Sequence, residues 1–133
     1  MLFFMTQLFL IGVRAIITNR KKKSTQTHFP HLIVLDGIDA FVDGGPMTGK
    51  RANGSVFLAG TDRVAIDAVG VAILKSLGSN DQIMRPKIFD QEQIARAAEL
   101  GIGVSSASEI ELVPVDDQSR ESCTRVQEIV SKG

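Results

Sequence analysis

The chain has 133 residues, 44% of them hydrophobic and 23% charged, which describes one folded domain and excludes a disordered polymer. Fifteen basic residues balance fifteen acidic ones, and there is no Trp or Tyr, so neither an overall field nor an aromatic platform favours nucleic acid as a partner. Cys123 is the only cysteine, which excludes an internal disulfide and any iron–sulfur cluster or thiolate-held zinc supplied by this chain alone, and fits a reducing, cytoplasmic setting.

The chain opens on MLFFMTQLFLIGV, strongly apolar, then Arg14, and later the basic run RKKK at residues 20–23. Positive charge that follows the apolar stretch reverses the order of a secretory signal, and the stretch is shorter than the roughly 20 residues that cross a bilayer. A buried strand or helix is the expectation; a membrane anchor with a basic flank is its rival. A polar connector containing His28, Pro30 and His31 leads into LIVLD, four apolar residues closed by Asp36 and Gly37, which read as a strand buried on both faces.

The stretch DGGPMTGKR, residues 43–51, comes next, and SVFLAG, residues 55–60, makes a second short apolar strand. TDRVAIDAVGVAILKSLG predicts a helix, with Thr61 or Asp62 accepting the free amides at its start and Gly78 stopping it. Its apolar residues fall on several faces, so it is expected at the centre of the fold. Residues 79–89 read as a loop. DQEQIARAAELG predicts a second helix, with Asp90 as cap, Gln93 as its capping-box partner and a Glu92–Arg96 pair. EIELV alternates as a strand, and residues 116–132 form an amphipathic helix with Cys123, Val126 and Val130 on one stripe. This order predicts an α/β fold: a small, mostly parallel sheet, flanking helices and one largely buried central helix.

Gly44, Gly49 and Lys50 fit the first seven places of the phosphate loop G-x-x-x-x-G-K-[ST], but Arg51 stands where a magnesium-binding hydroxyl is needed. The next residues lead through Asn53 and Gly54 into a strand, whereas a phosphate loop must open a helix. A nucleoside-triphosphate site is therefore rejected. Two readings stay open. In one, the glycines make a turn and Asn53-Gly54 makes a second, hairpin-type turn. In the other, the amides of Gly44, Gly45 and Gly49, with Lys50 and Arg51, hold a carboxylate or phosphate.

Asp36 and Asp62 each follow an apolar strand. In a parallel sheet both carboxylates gather at one end, near the glycines and near Asp39 and Asp43. Such a cluster suits a divalent cation held by Asp36, Asp39 and Asp62, or a general acid and base drawn from Asp36, Asp62 and Asp67. The structural alternatives are a helix cap for Asp62, a turn for Asp36 and solvated positions for Asp39 and Asp43. Asp67 lies within the apolar helix four residues after Arg63, so either an ion pair to Arg63 or a buried carboxyl of raised pKa is expected.

Three segments together carry a family resemblance: LIVLDGIDAFVDGGPMTGK, GSVFLAGTDRVAIDAVGVAIL and IARAAELGIGVSSASEIELV. In order and spacing they resemble the carboxyl half of the prokaryotic family called domain of unknown function 362. That family shows a strand ending in Asp (here Asp36), a G-P-x-x-G loop (Gly45 to Gly49), a D-x-V-A-x-D helix (Asp62 to Asp67) and a later A-x-x-x-G-[IL]-G element (Ala97 to Gly103). The family has no agreed activity. Some members carry ferredoxin-like cysteines that are missing here, so no iron–sulfur role carries over. The resemblance implies a single, partial domain: an atypical segment 1–31, a family-like core 32–113 and a C-terminal helix 114–133. A missing amino-terminal part, or a second copy of the chain, is the implied partner. Together these readings set a small-anion or metal-binding domain against a non-catalytic remnant or oligomerisation module, with the membrane-attached form as a third.

Overall fold

A computed structural model describes residues 13–19 and 31–133. The apolar start at 1–12 and the basic run at 20–23, on which the membrane and truncation expectations hang, lie outside the described residues. Four strands form one sheet: β1 (Val13–Asn19), β2 (Ile33–Asp43), β3 (Lys50–Gly60) and β4 (Ile110–Pro114), in the spatial order β2-β3-β1-β4. β1 runs parallel to β3, but β2 pairs antiparallel with β3 and β4 antiparallel with β1. The expected mostly parallel sheet is thus corrected to a mixed one. The physical reason is the short connection between β2 and β3: residues 44–49 are too few for a crossover and suffice only for a hairpin.

Both hairpin strands are also longer than their apolar cores predict. β2 continues through Asp36 to Asp43, and β3 begins at Lys50, so Asn53 and Gly54 lie inside a strand and make no turn. The extra length carries register shifts between Gly37 and Asp39 and between Phe41 and Asp43. Asp36 serves the first irregularity, its Oδ1 accepting the Ile38 amide at 3.0 Å.

The helices are α1 (Arg63–Ser76), the single turn α2 (Asp81–Met84), α3 (Glu92–Glu99) and α4 (Asp117–Lys132). α1 starts because Asp62 accepts the Ala65 amide at 2.9 Å. α4 starts on a reciprocal cap, in which Asp116 accepts from the Ser119 amide at 2.8 Å and the Ser119 hydroxyl accepts from the Asp116 amide at 3.2 Å. α3 is shorter than predicted. Asp90 sits in a 3-10 turn ahead of it and Gln91 takes the cap position without a side-chain bond. Arg96 pairs with Glu99 at 2.9 Å, on the surface. The loop after α1 is held by Lys75, whose Nζ donates to the carbonyls of Met84 at 3.0 Å and Pro86 at 2.6 Å.

One core joins the sheet to α1, α3 and α4. Val56, Leu58, Ile110 and Leu112 meet Val64, Ala68, Val69, Ala72, Ile94, Cys123, Val126 and Val130, with Ile33 and Leu35 packed against them. α4 also knits the β4 edge: Gln127 accepts from the Leu112 amide at 2.8 Å and donates to the Ile110 carbonyl at 3.3 Å. α1 is central but not enclosed. Val64, Ala65, Ala68, Val69 and Ala72 are buried, while Arg63 and Asp67 face outward.

The strand alternation leaves the opposite face open. Register aligns Val34, Ala59, Ile16 and Val113 in one row across all four strands, with Asp36 beside Phe57 in the next. On this face Val34 is 48% exposed, Phe57 43% and Val113 38%, so β2, expected to be buried on both sides, is covered on one by the described residues. Among the described residues, the helices that contribute to the core all do so on the other face.

Candidate functional site

Two places hold the residues singled out by sequence. The first is the hairpin turn. Asp43 pairs with Lys50 across its mouth, and Gly44, Gly45, Gly49, Lys50 and Arg51 are all exposed around it. Gly44 has φ 67°, and the Gly45–Pro46 bond is cis. The turn closes so tightly that a Cβ on Gly49 would lie 2.2 Å from the Asp43 carbonyl oxygen. Met47, at its tip, is 90% exposed. No helix begins here, because Lys50 already belongs to β3, so the positive end of a helix dipole is not available to an anion.

The second place is Asp62, at the far end of β3. Besides capping α1 through Oδ1, its Oδ2 accepts the Val104 amide at 3.1 Å across 42 residues. The loop before Val104 comes so close that a Cβ on Gly103 would lie 2.4 Å from Asp62 Oδ1 and 2.8 Å from Val64 Cγ2. The carboxylate therefore joins the first turn of the central helix to the chain returning from α3. Val104 is 1% exposed, and Asp62 supplies the acceptor that its buried amide requires.

These two places do not converge. Lys50 and Gly60 are the two ends of β3, about 30 Å apart at roughly 3.3 Å per residue. Asp36 lies between them, opposite Phe57, and Asp39 is opposite Asn53. The expected gathering of Asp36, Asp39 and Asp62 beside the glycines is overturned by the antiparallel register. Among the described residues, no group of three or more His, Cys, Asp or Glu side chains is arranged to hold a metal ion.

Asp67 is exposed on α1, not enclosed by it. The surrounding protein still raises its pKa above the usual carboxylate value by desolvation. Exposure and desolvation pull in opposite senses, and water reaching the residue keeps the effect modest. Cys123 is buried, and burial, with a smaller contribution from Asp116, pushes its thiol pKa up, so it stays protonated and packs as a small apolar group. A shallow groove of about 460 Å³ between β4 and α4 includes Cys123 and Gln127 in its lining, but none of Asp36, Asp39, Asp62, Asp67 or the turn residues.

Sequence reasoning missed the role of Gly103 and Val104. The signal was present in the joint occurrence of the D-x-V-A-x-D and A-x-x-x-G-[IL]-G elements, which the fold brings into contact at Asp62. It also missed the open sheet face, since SVFLAG has apolar residues on both sides and does not say which side is covered.

No helix among the described residues is long and apolar enough to cross a membrane. Residues 13–72 match the family model described as Domain of unknown function (DUF362). The match starts before the quoted motifs and ends within α1, ahead of Gly103. No curated protein and no solved structure matches the chain.

Proposed function

We propose, from the match of residues 13–72 to the family model of domain of unknown function 362 and from the fold, that the chain is a non-catalytic packing and interaction module. Its working surface is the open face of the sheet. The observation that carries this reading is the commitment of Asp62, one of the acids singled out by sequence, to two backbone amides, one of them in a buried loop. A carboxylate held this way fixes the fold and has little left for a cation. Asp36 likewise accepts from its own strand, at Ile38. Exposed Val34, Phe57 and Val113 on the same face of the sheet support a contact role, because exposed apolar side chains gathered on one face favour burial against another layer.

The rival reading keeps Gly44, Gly45, Gly49, Lys50 and Arg51 as an anion site, and Asp36, Asp39 and Asp62 as metal ligands. One experiment separates them. Thermal and urea unfolding are measured with magnesium, calcium, manganese or zinc, and separately with inorganic phosphate. The module reading expects no change. A bound ion at a hundredfold excess over its Kd would add about 2.7 kcal/mol, and such a gain would overturn it.

A further inference from the structure

We infer that Gln127 of α4 closes the β4 edge of the sheet against strand addition by a second copy of this chain. β4 is an edge strand, and an edge with free amides is a template for another strand. The Leu112 amide and the Ile110 carbonyl point away from β1, since the Gln127 side chain bonds both: Oε1 accepts from Leu112 at 2.8 Å and Nε2 donates to Ile110 at 3.3 Å. The alternate residues, Glu111 and Val113, face Thr18 and Ile16 across the β1 ladder. The outward positions of β4 are therefore Ile110, Leu112 and Pro114.

At each of the three the outward donor is withheld in a different way. The Ile110 amide is bonded to the Ala107 carbonyl of the preceding 3-10 turn, and Pro114 has no amide hydrogen. Both of these are fixed by the main chain. The Leu112 amide is held by a side chain alone. A carboxamide offers one acceptor and one donor, as an incoming strand would, and Gln127 occupies that place. The groove of about 460 Å³ between β4 and α4 is lined by Leu112, Pro114, Cys123 and Gln127 among others, so the backbone of α4 leaves room beside this edge.

A second copy fits the edge once Gln127 is withdrawn. About a two-fold axis at Leu112, each Leu112 amide donates to the Leu112 carbonyl of the other copy, and Glu111 lies beside Val113 of the other copy, so no like charges meet. Leu112 is only 8% exposed, so its amide needs a protein acceptor in place of the one it has lost. Ile110 and Pro114 add no donors, which keeps the pairing short and makes association depend on concentration.

The test replaces Gln127 with Ala in the full chain and follows sedimentation mass over a range of concentrations together with hydrogen exchange at the Leu112 amide. The expected result is a mass that climbs with concentration toward twice that of the parent. The Leu112 amide should exchange at least about tenfold faster than in the parent when the variant is dilute, and slow again as it associates. Gln127→Glu keeps the acceptor for Leu112 and should stay at the parent's mass.

A Gln127→Ala chain that keeps the parent's mass at every concentration would overturn the inference and leave Gln127 only a link between α4 and the sheet. Association without renewed protection of Leu112 would put the contact elsewhere and overturn it as well. So would equal association of Gln127→Glu, because the Leu112 donor would then not be what the side chain withholds. If Gln127→Ala does not fold, Gln127→Met, which keeps the length of the side chain without its amide, replaces it and is read in the same way.

Discussion

The side chain of Asp62 holds the backbone of Val104: the amide donates to Oδ2 at 3.1 Å, and the same carboxylate caps α1 through Oδ1. One residue thereby fixes both the start of the central helix and the approach of the loop after α3. Its position after an apolar strand suggested either chemistry or a helix cap; its hydrogen bonds show the cap and add the contact to Val104.

Removing this carboxylate should be among the costlier single changes at a residue outside the apolar core. Asp62→Ala loses a helix cap and strands a buried amide, for a combined loss of about 2–4 kcal/mol. Urea unfolding measures it. A loss below about 0.5 kcal/mol would mean that the Val104 bond contributes nothing.

Gly103→Ala puts a methyl group against both Asp62 and Val64. Crowding of this kind costs about 1–3 kcal/mol. Because the clash is partly with the Asp62 carboxylate, combining Gly103→Ala with Asp62→Ala should cost less than the two separate losses together. A double-mutant cycle checks this, and strict additivity would place the clash elsewhere.

At the other end of β3, Gly49→Ala should disrupt the hairpin, since the new Cβ meets the Asp43 carbonyl oxygen with no room to yield. Lys50→Ala and Arg51→Ala remove exposed side chains and should change stability by no more than about 0.5 kcal/mol. Loss of phosphate binding in those two variants, with stability intact, would instead restore the anion site.

Asp67 gives a pH dependence of defined sign. Desolvation raises its pKa in the folded chain above the ordinary 3.8. The folded state therefore binds this proton more tightly than the unfolded state does. Stability from this group is full below 3.8 and is lost as pH rises through the raised folded value. Asp67→Asn should then be more stable than the parent near neutral pH, with the difference closing on acidification. Unfolding measured across that range decides it, and a difference that widens toward low pH would reverse the sign.

Much of the local structure was legible in the residues. The strand cores at Ile33 to Leu35 and Val56 to Ala59, the Asp62 cap of α1, the Asp116 start of α4 and its Cys123, Val126, Val130 stripe follow from patterns within a few positions of one another. The α3 start was misread because Asp90 is drawn into a 3-10 turn, where its side chain is not placed to cap Glu92. The sheet was misread because a continuous apolar run says that a strand is central, not which way its neighbour points. Rejecting a nucleotide loop needed only Arg51 and the strand behind it. Locating Asp36 and Asp62 relative to the glycines needed strand direction.

What the sequence determined by itself was short-range: where backbone amides need an acceptor, where the chain turns, and which stripe of a helix is apolar. Those depend on neighbours one to four residues away, and the covalent chain supplies them. The tertiary structure alone decided that β2 and β3 run antiparallel, that Asp62 reaches Val104, and that, among the described residues, the core lies against one face of the sheet. Each of these depends on which distant segments meet, and that is settled by the joint burial of the sheet against α1 and α4, a balance that no local stretch of residues contains.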